Sequence, residues 1–428
     1  MDLKAKSRRF LKHYGRWVLL DPEGDPKASL ARASRSPLLL STCFLVAVQH
    51  TTEALATTLA PKLYQCARSL ISDALLVAPQ PIEFFQAALV LSMWSTTAGK
   101  VPLSIDSWLL SGFALQHSRS SPVFDPVYDA GPTTQLSKAT LDNWFLWNHL
   151  CLVHLHYCIG TSRKSMLHVS HISRCRAILD SDHATNYESR MVAEVYLYWT
   201  VYENISSNAI DLLKCTAHLQ DWKKEWDFVL CMLHYTNKTK PIILTIPVQP
   251  RAQFLLMGFH FSHLLLYDHS LKIKTAMARE SVISELIHHS TSIIHLAIDT
   301  TDERTRHLSD HIYHMITFAA IVICRLFSGY SEQLSQSHNL VELDSLIFNL
   351  VEWLQSIGLP CHAACTLGHI IAKVHQKVRP EVEKPEPPVQ SDTWPGGDLL
   401  AYFPEFLGLE PTADGNWDLL PSWGFSPG

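Results

Sequence analysis

The sequence predicts an all-α fold: a large irregular multi-helix domain followed by a mostly disordered acidic tail. Three observations carry this. Alternating Val/Ile/Thr runs bounded by turn residues are missing, apart from PIILTIPV at 241–248. Elsewhere apolar residues recur at helical spacing. After Arg379 the composition shifts abruptly to proline, aromatic and acidic residues. The 428 residues, 47% hydrophobic and 18% charged, suffice for a large buried core.

Taken in order, helices are expected over 2–17, 37–49, 53–77, 82–98, 104–118, 137–159, 186–207, 211–230, 251–270, 279–299, 307–327, 340–357 and 361–377. In 82–98, Phe85, Leu89 and Met93 recur at four-residue steps with Ile82 and Ala88 beside them, predicting one apolar face. In 211–230, Leu212, Leu219, Trp222, Trp226 and Val229 form such a face, with Lys223, Lys224 and Glu225 opposite. Ser104 or Asp106 would cap the helix that Trp108 enters, and Gly112 within it would let another helix approach beside the tryptophan. Breaks fall at Pro79-Gln-Pro81, at SSPVFDPVYDAGP (120–132) and between Pro241 and Pro250. No repeat of fixed period occurs, which disfavours a solenoid. The expected division is a linker or basic helix over 1–30, an all-α domain over 31–379 and a tail over 380–428.

Charge and composition narrow the function classes. A formal net charge of −5 lacks the basic excess of a nucleic-acid surface. The six Lys/Arg of residues 4–16 are expected to be a solvated helix face. Ten cysteines scattered through apolar stretches suggest reduced intracellular thiols. The first twenty residues hold no apolar core of signal-peptide length. The run HMITFAAIVICRLF from 314 is too short to span a bilayer, so no membrane role is expected.

No phosphate loop, dinucleotide fingerprint or Gly-x-Ser-x-Gly occurs, so enzyme function has no support. An α-helical enzyme of the terpene-cyclising kind would need Asp-Asp-x-x-Asp motifs, which are missing. Cys361, Cys365 and His369 would stack along one helix face, but over about 12 Å at 1.5 Å per residue, too far for one zinc ion. His307, His311 and His314 share a face without a partnering carboxylate motif. For both sets, and for most of the 24 histidines, core or helix surface is the expected place. No metal is expected in this chain.

The tail says more. Residues 381–428 carry a net charge of −8, which leaves +3 on the rest, and they include eight prolines. Tyr402, Phe403, Phe406, Leu407, Trp417, Leu419 and Leu420 are interleaved with carboxylates in DLLAYFPEFLGLEP and DGNWDLLPSWGF. Self-repulsion and proline keep such a segment extended, leaving its aromatics for a partner groove. The pattern is that of an acidic-hydrophobic activation segment. The alternative is an arm whose tryptophans pack back on the domain.

FFQAALVLSMWSTTAGKVPLSIDSWLLSGFALQHS (84–118) resembles the most recognisable block of the fungal-specific transcription factor regulatory domain, the middle homology region of zinc binuclear cluster regulators. There a buried helix ending here at Trp94 meets a polar break closed by glycine (Gly99). A second helix then carries Trp-x-x-x-Gly-x-Ala, here Trp108, Gly112 and Ala114. RASRSPLLLSTCFLVAVQHT resembles the family's Ser-Pro-leucine-rich opening helix, and LAPKLYQCARSLI its next one. In WFLWNHLCLVHLHYCIGTSRK, Trp144, Trp147, Gly160 and Arg163 occupy the family's aromatic pair, glycine and basic positions. Within the family the likeness is to regulators of the secreted-protease activator type.

The resemblance implies a transcriptional regulator in the nucleus, or shuttling to it, that contacts coactivators or transcription machinery through the tail. It also implies a homologous regulator as dimer partner. Two departures stand against a full carry-over. The aspartate and Gly-Arg-Pro ending of the family's third block are missing. The family reads DNA through six closely spaced cysteines that bind zinc, whereas this chain has no Cys-x-x-Cys. Zinc is therefore expected only in a DNA-binding domain that these residues do not contain, and DNA is reached through that missing domain or a partner. The rival reading is an interaction protein that pairs with and titrates a full-length regulator.

Overall fold

Polar side chains set one residue ahead of apolar runs start the helices. Asp25, Ser36, Asp106, Ser137, Asp211 and Asn339 each accept a hydrogen bond from a backbone N–H of the first turn they precede, satisfying donors that no intrahelical carbonyl reaches. A computed structural model describes residues 10–20, 25–98, 101–129, 137–206, 210–230, 252–272, 279–300 and 303–382, together with the short stretches 409–411 and 417–419.

The described helices are α1 (Pro26–Ala33), α2 (Pro37–Ala47), α3 (Glu53–Ala74), α4 (Ile82–Met93), α5 (Ser107–Ser118), α6 (Asp125–Asp129), α7 (Lys138–Gly160), α8 (Val169–Ala177) and α9 (Asn186–Ile205). They continue as α10 (Leu212–Glu225), α11 (Asp227–Leu230), α12 (Ala252–Lys272), α13 (Arg279–Ile298), α14 (Asp310–Ser337), α15 (Leu340–Ser356) and α16 (Ala363–Val378). Two antiparallel pairings interrupt the helical pattern: β1 (Thr96–Ala98) with β2 (Val101–Leu103), and β3 (Leu409–Pro411) with β4 (Trp417–Leu419). The fold class is thus all-α, as the sequence predicts.

The chain forms two compact units. Of the described residues, one holds those up to Trp199 with 306–310 and 359–363; the other holds those within 200–305, within 311–358 and from Ala364 on. In the first, α4 is the centre. Phe84 through Met93 are all buried, and α2, α5, α7 and the 3-10 turn Gly15–Val18 pack around it. A helix apolar on every side belongs in a core rather than at its edge. In the second, α12 and α13 form the most extensive helix pair, flanked by α10 and α15.

Several expectations are corrected. The helix expected over 82–98 stops at Met93, and α4 buries all its faces rather than one. Trp94 is extended (φ −138°, ψ 107°), and tertiary partners take the next residue's backbone: Ser95 N–H donates to Asp310 Oδ2 at 2.6 Å and the Gln49 amide donates to Ser95 O at 2.7 Å. The 211–230 helix breaks at Trp226. The last helix begins at Ala363, so Cys361 precedes it and shares no helix face with Cys365 and His369. His307 likewise lies in a 3-10 turn ahead of α14. Helices α1, α6 and α8 are additions. PIILTIPV lies outside the described residues.

α14 is 28 residues long and apolar enough to cross a membrane, but 83% of its apolar window is buried inside the protein. A core helix meets the same compositional test.

Candidate functional site

The family-motif residues of the first unit converge on α5 and α7. Asp106 caps α5 by accepting from Leu109 N–H at 3.0 Å, and its other oxygen pairs with Arg163 Nη1 at 2.7 Å. That guanidinium lies 5.1 Å above the Trp108 ring, whose Nε1–H donates to Lys164 O at 3.1 Å. Beneath the tryptophan, stacked at 6.3 Å, is His154 of α7. Its Nε2 accepts from Met166 N–H at 3.2 Å, so its Nδ1–H is left to donate to Ser111 Oγ at 3.1 Å. Burial lowers the His154 pKa to about 4, which keeps it neutral.

Gly112 completes this joint. A Cβ there would lie 3.1 Å from Met166 Sδ and 3.4 Å from His154 Cε1. The sequence expectation of a close approach beside the tryptophan, with an aspartate cap, is what the fold contains. Ala114 is buried on the same helix, and Gly160 is the buried last residue of α7.

Other predicted residues lie apart from the joint. Trp94 is edge-on to Tyr14 at 5.0 Å, within a cluster where Tyr14 Oη bonds His50 Nε2 and His307 Nδ1, each at 2.8 Å. Trp144 Nε1–H donates to Arg174 O at 3.2 Å, tying α7 to α8. Gly99, Tyr402, Phe403, Phe406, Leu407 and Leu420 lie outside the described residues. Trp417 and Leu419 belong to β4, and only their backbone pairing is described.

Two turns along α7 from His154, Trp147 forms the wall of a cleft of about 200 Å³ lined also by Leu115, Gln116, Arg119, Tyr128, Met166, Leu167, His168 and His171. Tyr128 Oη sits between Ser118 Oγ (2.7 Å) and Trp147 Nε1 (3.1 Å). Burial raises the Tyr128 pKa, so its hydroxyl stays protonated. The guanidinium carbon of Arg119 lies 5.7 Å from the Tyr128 ring, and that of Arg174 lies 5.8 Å from it. His171 Nδ1 accepts from His168 N–H at 3.0 Å. Burial, then the charges of His168, Arg119 and Arg174, lower the His171 pKa.

Among the described residues, no acidic side chain lines this cleft. Trp147 is fully buried at its back, and Arg119 brings a positive charge to its wall. Its volume falls below the roughly 300–1,000 Å³ of drug-sized sites. Sequence reasoning found Trp147 through the resemblance but missed Arg119, Tyr128, His168 and His171. The His-x-x-His spacing was the one available signal.

The family model described as the middle domain of the transcriptional activator of proteases prtT matches residues 6–378. A protein of Schizosaccharomyces pombe described as an uncharacterized transcriptional regulatory protein is 26% identical over 380 residues, covering 86% of this chain and 67% of its own. The transcriptional activators of proteases prtT of Aspergillus clavatus and Aspergillus niger are each 25% identical, over 318 and 321 residues. Each match covers 74% of this chain and 47% of the relative. The chain thus spans about two thirds of the first relative and about half of the activators. No solved structure matches it. With the match running from before the Tyr14 cluster to the end of α16, the chain belongs to the family of the prtT-type transcriptional activator middle domain.

Proposed function

We propose that this chain regulates transcription as the regulatory part of a fungal zinc-cluster-class activator, working in the nucleus and catalysing no reaction. The family match over 6–378 carries the reading. Relatives bearing that domain are named as transcriptional regulators and activators of proteases. In this reading the cleft beside Trp147 receives a small anionic effector. The acidic aromatic tail contacts coactivators or transcription machinery, and DNA is reached through a zinc-cluster domain outside these residues or through a homologous dimer partner.

The tail supplies the direct test. Residues 381–428 fused to an unrelated DNA-binding domain should activate a reporter at least several-fold. Replacing Phe403, Phe406 and Trp417 by alanine together should remove most of that signal. A silent wild-type fusion would overturn the activation claim.

A second reading, an interaction protein that pairs with and titrates a longer relative, is favoured by one observation: no Cys-x-x-Cys occurs in these 428 residues. Mapping the transcript's 5′ end decides between the two. An upstream exon with six clustered cysteines supports the complete regulator.

A further inference from the structure

Four histidines that look unrelated in the sequence meet between α12 and α13. His260 and His263 are one turn apart on α12, and His288 and His289 are adjacent on α13. Ligand-capable nitrogens of His260, His288 and His289 all lie within 4.8 Å of one another. His260 Nδ1 and His289 Nδ1 are 2.9 Å apart. The His263 ring stacks on His289 at 4.6 Å with the planes 7° apart. His289 is buried, His260 half-buried, and His288 is exposed, leaving a path to solvent.

Two observations separate this cluster from ordinary core packing. His263 is 3% exposed, yet among the described residues neither of its ring nitrogens has a hydrogen-bond partner. A buried polar group left so is costly, at about 1–3 kcal/mol, and calls for an explanation. The second is a carboxylate: His289 Nε2 faces Glu285 Oε2 at 3.5 Å, while its Nδ1 is turned to His260. A carboxylate behind an imidazole is the arrangement that orients a metal-ligating histidine.

Lys223 of α10 stands over the Phe259 ring beside His260, its Nζ 5.2 Å from the ring centre. It opposes an added cation here, and Glu285 offsets it. Three imidazoles with one open position match a zinc-class ion: nitrogens 2.0–2.1 Å from a tetrahedral centre stand about 3.3 Å apart. The His260–His289 pair would open by a few tenths of an ångström and His288 would swing in.

We propose that His260, His288 and His289 form a binding site for a first-row divalent cation, zinc above others, with Glu285 orienting His289 and His263 packed beneath. The ion clamps α12 to α13.

The test uses the full 428-residue chain. Metal-free protein titrated with Zn²⁺ should bind one equivalent with a raised melting temperature, and Co²⁺ should give tetrahedral absorption without a thiolate charge-transfer band. His288→Ala, at an exposed position, should weaken Zn²⁺ binding at least 10-fold. Glu285→Gln should weaken it about 10- to 100-fold. His295→Ala, an exposed histidine of the same helix, should change nothing. Failure of the folded wild-type chain to bind Zn²⁺, or equal binding by His288→Ala, would overturn the site. A thiolate band with Co²⁺ would place the ion at a cysteine and do the same.

Discussion

At Gly112 the missing side chain faces two neighbours of unequal stiffness. Met166 Sδ, 3.1 Å from a hypothetical Cβ, ends a flexible side chain that is 46% exposed and can move; His154, at 3.4 Å, is pinned at both nitrogens. Gly112→Ala therefore gains up to about 1 kcal/mol of helix propensity against a small displacement of Met166. Its unfolding free energy should stay within about 1 kcal/mol of the wild type. Gly112→Leu has no such escape, because its branch must enter the space of His154, and should cost roughly 1–3 kcal/mol or more. Urea denaturation of the two variants checks the pair. Equal, large losses would show that the joint tolerates no atom at all. The sequence placed Trp108, Gly112 and the Asp106 cap together because their spacing is local. His154 stayed hidden because a lone histidine on an apolar helix carries no mark of its partner.

Between elements, a few buried polar contacts decide which helices hold together. Asp344 of α15, 3% exposed, takes His375 Nε2 at 2.7 Å on one oxygen and Arg379 Nη2 at 3.0 Å on the other. Arg379 also bonds Glu381 and covers Phe327 with its guanidinium, 5.4 Å from the ring centre. Asp344→Ala would strand these donors without their carboxylate, and breaking a buried pair from one side costs about 3–5 kcal/mol. The expected result is a lower urea midpoint with unchanged helix content before the transition; an unchanged midpoint would show the pair to be incidental. Helix positions were largely legible, since apolar periodicity is a property of each segment. Helix ends were not: α4 stops where Asp310 and Gln49, remote in sequence, capture the backbone of Ser95. The all-round burial of α4 was equally illegible, because a one-faced pattern of large residues does not show that Gln86, Ala87 and Ser92 are buried too.

Across the whole molecule, buried titratable groups set the response to acid. His154, His260, His263 and His362 are held near 4 and His289 near 2, all mainly by burial. Once unfolded, each takes up a proton below its ordinary 6.5, so the stability it contributes is present above about 6.5 and is lost as pH falls toward 4. Asp310 runs the other way: burial raises its carboxyl to about 7, so the folded state keeps a proton that the unfolded state releases, and stability declines as pH rises from about 4 to 7. Each group contributes about 1.4 kcal/mol per pH unit in its window. Five histidines against one aspartate predict a steep net loss between pH 6.5 and 4, measured as the urea midpoint in chelator. A flat profile would contradict the neutral burial of these imidazoles.

The sequence by itself determined the all-helical class, most helix positions, the cap and glycine of α5, the change of composition after Arg379 and the family to which the chain belongs. These are properties of neighbouring residues, of periodicity and of a local motif. Tertiary structure alone decided that α4 is the centre of its unit, that Trp147, Arg119 and Tyr128 line one cleft, and that four scattered histidines share one space between α12 and α13. Each of those depends on which helix faces come together. That pairing is set by the burial of whole surfaces, which no single segment of the chain records.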